Sequence, residues 1–247
     1  METHKILKYI SNGRTDFIFE LLKVEDWQML LHQGQVKPLQ WLVYYNDTTA
    51  LRAVLEAGGD FSSIDLDSEL GNAAFFGHWK VCDLLINTGA DVNAPLVKTG
   101  ERPLHNALAK AGRPYYIYTV KLLVQRGADV NARTLPNIES GAFMRDVRTK
   151  GETPLHRAAA YADEDTIKFL LDSGADKQAR DAHGNSPLSW ASEHLRPGAI
   201  LSLLTFGEHR IGKGHVIKNK SDHGCGWGNS MDWNLIGEFI PEASEKL

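Results

Sequence analysis

The sequence predicts an all-α repeat fold, a solenoid of helix–turn–helix units. Three observations carry this. The hexapeptide Gly-Ala-Asp-Val-Asn-Ala occurs at Gly89–Ala94 and again at Gly127–Ala132, with shorter copies at Gly58-Gly59-Asp60 and Gly174-Ala175-Asp176. A second marker reads Lys-Pro-Leu-Gln at 37–40, Arg-Pro-Leu-His at 102–105, Thr-Pro-Leu-His at 153–156 and Ser-Pro-Leu-Ser at 186–189. The spacing between the markers is constant: 20 residues from Pro38 to Gly58, from Pro154 to Gly174 and from Pro187 to Gly207, and 20 from Glu69 to Gly89 in the copy without proline. Only Pro103 to Gly127 departs, at 24. Self-similarity at a fixed period is the signature of stacked repeats.

Each interval reads as two helices. Thr153 can cap a helix start with its hydroxyl, and Pro154 suits the first helical position, where its missing N–H costs nothing. Small residues follow, as in Ala73-Ala74 and Ala158-Ala159-Ala160, which let one helix pack closely on the next. A polar or glycine-containing break such as Gly77-His78 precedes a second apolar helix, as in Val81–Ile86 and Ile167–Leu171. Gly89, Gly127 and Gly174 then end that helix in the left-handed conformation.

Units of about 33 residues with Thr-Pro-Leu-His near the start resemble ankyrin repeats. The Gly-Ala-Asp-Val-Asn-Ala element is similar to that family's link into its β-turn. The resemblance covers about residues 1–207 and is most specific over 67–207. It implies antiparallel helix pairs stacked side by side, with β-turn loops projecting at one edge. It also implies that His105 and His156 hydrogen-bond backbone across turns. Six units are expected, at about 1–33, 34–66, 67–99, 100–150, 151–181 and 182–207, followed by a non-repeat tail at 208–247. The first lacks the Pro-Leu marker and reads as a capping unit, which has one face without a neighbour. In the sixth, Ser189 replaces the histidine and Arg196-Pro197-Gly198 interrupts the start of the second helix.

A repeat stack is a scaffold, so function is sought where the repeats deviate. The fourth unit carries four extra residues within Lys110–Tyr118, where Lys110, Arg113, Lys121 and Arg126 interleave with Tyr115 and Tyr116 and no acid lies between 109 and 126. That pattern suits an acidic peptide or nucleic acid, or a lengthened turn with its tyrosines packed on the stack. A second insertion, of 14 residues, lies within Thr134–Lys150 and includes Phe143, Met144, Arg145, Arg148 and Lys150. Insertions in repeat proteins map to loops, often on the binding face; the alternative is a passive surface loop. The third deviation is aromatic. The two positions after the small-residue run are Tyr44 and Tyr45, then Phe75 and Phe76, then Ala160 and Tyr161. In ankyrin-like stacks these positions lie beside the concave surface, so Tyr44, Tyr45, Phe75, Phe76 and Tyr161 are expected to line up as a ribbon, some of them wedged between repeats. Trp79 is expected to be partly exposed, and Trp41 and Trp190 to pack between units.

Composition excludes several classes. Lys and Arg number 27 against 31 Asp and Glu, a net charge of −4, which disfavours a nucleic-acid-coating role. Two cysteines, Cys82 and Cys225, allow neither a disulfide framework nor a four-cysteine zinc site. There is no signal-length apolar stretch at the start and no run of 18 apolar residues, so a cytoplasmic, membrane-free monomer is expected; export without a cleaved signal would leave no trace. The sequence carries no Gly-x-Ser-x-Gly, P-loop, His-Glu-x-x-His or Gly-x-Gly-x-x-Gly motif. No cofactor and no metal are expected. His209, His215, His223 and Cys225 match no zinc spacing. Gly-rich and aromatic, with Trp227, Trp233 and Phe239, the tail reads as a cap over the last unit. Asn93 and Asn131 stand at a spacing from Leu85 and Leu123 that resembles the one recognised by asparaginyl hydroxylases, although turn stabilisation is the stronger reading. The overall expectation is a non-enzymatic interaction scaffold binding a protein through its concave inner-helix face and loop tips. The candidate contact residues are Tyr44, Tyr45, Phe75, Phe76, Trp79, Tyr115, Tyr116, Phe143, Arg145, Arg148 and Tyr161. The competing reading is an effector or enzyme-like protein whose activity resides in residues 208–247.

Overall fold

The computed structural model describes residues 3–113, 115–140 and 148–206. The helices come in pairs. α1 (Thr3–Ser11) is followed by a 3-10 turn and α2 (Ile18–Leu21), and a single turn, α3 (Trp27–Leu30), leads on. Then come α4 (Pro38–Tyr44) with α5 (Thr48–Glu56), α6 (Leu66–Phe76) with α7 (Trp79–Asn87), and α8 (Pro103–Ala107) with α9 (Tyr116–Gln125). The last pairs are α10 (Pro154–Tyr161) with α11 (Glu164–Asp172), and α12 (Pro187–Glu193) with α13 (Gly198–Leu204). Helices α1, α4, α6, α8, α10 and α12 pack in series as one layer, and α2, α5, α7, α9, α11 and α13 as the other. Among the described residues there is no strand, and no helix is long and apolar enough to cross a membrane. The core runs the length of the stack through fully buried Ile10, Leu42, Leu70, Leu104, Leu155 and Leu123, with Ala73, Ala74, Ala158 and Ala159 equally buried where the inner helices meet.

The Pro-Leu marker works as a helix cap. The fourth residue of each copy turns its side chain back onto the amide that precedes the proline. Gln40 Oε1 accepts from the Lys37 amide at 2.9 Å, His105 Nδ1 from Arg102 and His156 Nδ1 from Thr153 at 3.2 Å, and Ser189 Oγ from Ser186 at 3.4 Å. An orphan N–H at each helix start is thereby satisfied. The Thr153 hydroxyl lies 2.9 Å from the same His156 nitrogen, so it serves the ring. The proline-free copy differs. There α6 begins at Leu66, three residues ahead of Glu69, because Asp65 caps it by accepting from the amides of Asp67 and Ser68.

At the projecting turns the aspartate of each Gly-x-Asp element accepts from the amide two residues on: Asp60 from Ser62, Asp91 from Asn93, Asp129 from Asn131 and Asp176 from Gln178, at 2.8–2.9 Å. The asparagines link one turn to the next. Asn93 Nδ2 donates to the Gly127 carbonyl at 2.9 Å while its Oδ1 accepts from the Asp129 amide at 2.8 Å. Asn131 repeats both bonds to Gly174 and Asp176, at 3.0 and 2.9 Å. Both side chains therefore have a structural role in turn stabilisation.

The described ends of the 134–150 insertion are paired rather than loose. The Asn137 amide donates to the Thr149 carbonyl at 2.6 Å, the Thr149 amide to the Ile138 carbonyl at 2.8 Å, and Glu139 and Arg148 form an antiparallel bridge. Beneath this neck lies fully buried Arg157. Its Nη2 reaches Glu101 Oε1 at 2.7 Å and Glu152 Oε1 at 2.6 Å, and its Nη1 donates to the His105 carbonyl at 3.1 Å. The insertion's own hydroxyls complete the carboxylates: Ser140 donates to Glu101 and Thr134 to Glu152, at 2.8 and 2.7 Å. Burial opposes ionisation of Glu152. The Arg157 guanidinium, the Thr134 hydroxyl and the Lys150 amide outweigh it and hold this carboxyl well below its usual range. Burial, then the adjacent Arg157 charge, pushes His105 down and keeps it neutral. The sequence signal is present in hindsight: Gly-Glu-x-Pro-Leu-His stands at both Gly100–His105 and Gly151–His156. No reading of either unit alone pairs the two glutamates across Arg157.

Arg157→Met strands two buried carboxylates and is expected to cost about 3–5 kcal/mol in urea unfolding. Acid is expected to weaken the fold. Below the ordinary His105 value of 6.5 the unfolded chain takes a proton that the folded chain refuses. Below the ordinary Glu152 value of 4.5 the same holds for its carboxyl. The urea midpoint should thus be highest above pH 6.5, fall below it, and fall more steeply under pH 4.5. A midpoint independent of pH between 7.5 and 4 would contradict this account.

Candidate functional site

The inner helices α4 and α6 end in aromatic pairs, and the structure brings these pairs together. Tyr44 and Tyr45 meet edge-on with centroids 5.1 Å apart, Phe75 and Phe76 at 5.3 Å, and Tyr44 reaches Phe76 across the repeat boundary at 5.5 Å. Trp41 supports both tyrosines at 6.0 Å, and Phe76 stacks on the His78 ring at 5.6 Å. Edge-to-face pairs at these distances hold one another in place. Tyr44 is 52% exposed, Tyr45 38% and Phe76 37%, high values for rings so well supported. Tyr45 is pinned by its hydroxyl, which donates to the Ser11 carbonyl at 3.0 Å.

The strip sits where the inner helices turn into the outer ones, and the same turns of the third and fourth pairs add to it. Trp79 opens α7 at 42% exposed, with the Lys80 ammonium 5.5 Å from its ring centre. Tyr115 and Tyr118, beside the start of α9, are 69% and 60% exposed. Tyr116, between them, belongs to the interior. It is buried, donates its hydroxyl to the Phe75 carbonyl at 2.8 Å, and lays its ring against Gly77. The expectation that Tyr116 faces a partner is therefore corrected. Gly77 permits the contact on two counts: it is left-handed at φ +74°, and a Cβ there would stand 2.7 Å from the Tyr116 ring.

The ribbon does not extend to Tyr161. The intervening helix α8 stops at Ala107 and offers no aromatic pair, so half-buried Tyr161 meets His194 of the next unit instead, at 5.1 Å. Phe75 is half-buried beneath Lys110, whose ammonium lies 4.0 Å above its ring. The basic residues of the run at 109–126 are likewise spent on the stack. Arg113 bonds the Tyr116 hydroxyl, Arg126 pairs with Asp83, and Lys121 stands 5.7 Å from the Phe169 ring centre. Arg148 is exposed on the insertion's neck, donating to the Asn137 carbonyl. Phe143, Met144 and Arg145 lie outside the described residues, as do His209, His215, His223, Cys225, Trp227, Trp233, Phe239 and the cap expected over residues 208–247.

The side chains that look chemical in isolation have structural partners. His156, held neutral chiefly by burial, bridges Thr153 and, through Nε2, the Asn185 carbonyl of the next turn at 3.0 Å. His105 makes the first of these bonds and is likewise held neutral chiefly by burial. Cys82 is fully buried, and burial pushes its thiol up, far from a reactive thiolate. Trp190 packs inside with its Nε1 donating to Asp181 at 2.9 Å, as expected, while Trp41 is only half-buried. Among the described residues no three His, Cys, Asp or Glu side chains cluster as metal ligands.

Paired helices in two layers, capped by Pro-Leu-His and linked by Asp- and Asn-bonded turns, define a repeat solenoid. Comparison with known proteins agrees. Family models described as ankyrin repeats match residues 72–114, 99–135 and 137–213. The chain is 38% identical to human Rabankyrin-5 over 105 residues, 41% of this chain and 8% of that protein. It is 30% identical to human Neurogenic locus notch homolog protein 2 over 184 residues, 66% of this chain and 7% of that protein. It is 33% identical over 127 residues to a putative ankyrin repeat protein of Rickettsia felis, covering 48% of each. The chain belongs to the ankyrin-repeat family. It spans less than a tenth of the first two relatives.

The Gly77–Tyr116 contact yields a measurable consequence. Gly77→Ala forces a left-handed alanine and a clash, and should cost at least about 1–3 kcal/mol. Tyr116→Phe, which removes the hydroxyl's bonds to the Phe75 carbonyl and from Arg113 without a steric change, should cost about 1 kcal/mol. Chemical denaturation of both variants orders the two effects, and equal costs would discount the steric argument.

Proposed function

We propose that this chain is a non-enzymatic protein–protein interaction module whose partner anchors on the aromatic strip Tyr44, Tyr45, Phe76, Trp79 and Tyr115. The observation that carries this reading is the combination of exposure and fixation. The rings of Tyr44, Tyr45 and Phe76 stay open to solvent while Trp41, Ser11 and His78 hold them in place. Large aromatic side chains held ready in this way dominate binding energy, because little rotamer freedom remains to be lost on association. The strip borders the inner-helix layer, the face by which a family member would take a partner. Family membership supports a binding role in general. The choice of partner rests with this chain's own deviations.

The test is affinity capture with the full chain beside a variant carrying Tyr44→Ser, Phe76→Ser, Trp79→Ser and Tyr115→Ser. Tyr116, Phe75 and Tyr45 are left intact because they pack or bond within the stack. The variant should keep its circular dichroism spectrum and bind any captured partner at least about thirtyfold more weakly, since one lost anchor alone is worth about 2 kcal/mol. A partner held equally by the folded variant would remove the strip from the interface.

A further inference from the structure

A second surface lies at the opposite edge, where the projecting turns of the last repeats meet. Four cations gather there. Arg133 Nη1 donates to the carbonyls of Gly151, at 3.2 Å, and of Arg180. Arg148 Nη1 donates to the Asn137 carbonyl at 2.9 Å, and Arg180 Nη1 to the Gly184 carbonyl at 3.2 Å. The Lys150 ammonium lies 5.1 Å from the Trp190 ring centre, and the Arg180 guanidinium 5.6 Å from that of Phe206. The turns that carry these residues are bonded together. The Ala182 amide donates to the Lys150 carbonyl at 2.7 Å, and the Thr149 amide to Ile138 on the other leg of the insertion's neck.

Two features of this edge stand out. Among the described residues none of the four cations pairs with a carboxylate, whereas Arg102, Arg126, Arg157 and Lys168 all do. The neighbouring acids are mostly spent internally: Asp181 on Trp190, His183 and Asn185, Asp129 on Arg102, and Glu152 on Arg157. Among the described residues, exposed Glu139 and Asp176 remain, and Asp176 accepts from the Gln178 amide. In addition, each of the three arginines uses Nη1 to hold backbone, and its Nε and Nη2 make no hydrogen bond among the described residues. The Nε–Nη2 edge is the fork that takes a carboxylate with two parallel bonds.

We propose that this turn edge, formed by Arg133, Arg148, Lys150 and Arg180, docks an acidic, Asp/Glu-rich peptide segment of a partner protein. The guanidiniums are oriented in advance by backbone carbonyls, and that of Arg180 also by the Phe206 ring, so binding has less to order. A chain with net charge −4 otherwise repels such a segment, and the edge supplies the local exception.

The probe is a short fluorescein-labelled glutamate-rich peptide, followed by anisotropy with the full chain at about 0.05 M salt, where exposed charges are weakly screened. The wild type should bind it in preference to a lysine-rich peptide of the same length. Arg133→Gln/Arg148→Gln/Arg180→Gln should bind at least tenfold more weakly. Arg133 spans two turns, so Arg148→Gln/Arg180→Gln serves as a second variant that leaves those bonds in place; it should lose at least threefold with an unchanged thermal midpoint. Tyr44→Ser/Phe76→Ser, on the other edge, should bind the peptide like the wild type, which separates this surface from the aromatic strip. Absence of binding, unchanged affinity in the folded double variant, or preference for a single-stranded oligonucleotide over the peptide would each overturn the proposal.

Discussion

No helix pair in this chain can bury its own apolar face. The inner helices run from five to eleven residues, well short of what stands alone in water. Stability therefore comes from the seams between neighbouring pairs, and each seam must satisfy both its apolar surface and its helix ends. The alanines at 73–74 and 158–159 bring the inner helices close, and the Pro-Leu-x-x cap closes each helix start at almost no cost in chain entropy. Where a seam keeps the standard spacing, His156 reaches across it to the Asn185 carbonyl. At the junction that carries the insertion, the carbonyl of Glu152, which stands where Asn185 stands in the next unit, accepts from the Thr134 amide at 3.1 Å, and Arg157 with two glutamates adds a second linkage.

That added linkage ties the insertion into the stack. A buried ion triad is a poor source of net stability, because desolvation offsets most of its Coulombic gain. It is, however, directional. Glu101 comes from the turn before α8, Glu152 from the end of the insertion, and Arg157 from α10, and the hydroxyls of Thr134 and Ser140 add a bond to each carboxylate. The triad thus fixes the angle at which both legs leave the stack. The legs are bonded to the stack and are not a loosely attached surface loop.

The repeat rhythm was legible in the sequence because its causes are local. A proline at the first helical position, a glycine at the end and an aspartate two residues before the amide it caps all act within a few residues. Pairings across repeats were not legible. Tyr116 reads as one of three equivalent tyrosines until Gly77, 39 positions earlier, is seen to lack the Cβ that would exclude its ring. Tyr161 shares the sequence slot of Tyr45 and Phe76, yet a shortened α8 separates them. The early start of α6 was hidden for a third reason: Asp65 out-competed the register that the neighbouring prolines suggest.

The same logic separates the two exposed edges. A cation or an aromatic ring on a repeat stack is ordinarily consumed by the next seam, as Lys110, Lys121, Arg113 and Tyr116 are. Residues that are held rigid and still left open are the exception, because holding a side chain in place costs rotamer entropy that burial would normally offset. Tyr44 and Phe76 at one edge, and Arg133, Arg148 and Arg180 at the other, are of this kind. The stack supplies their supports from neighbouring turns, and nothing within the described residues uses the groups so presented. Fixation without burial is the physical mark by which both surfaces were recognised, and it is a property of pairs of repeats, not of any single one.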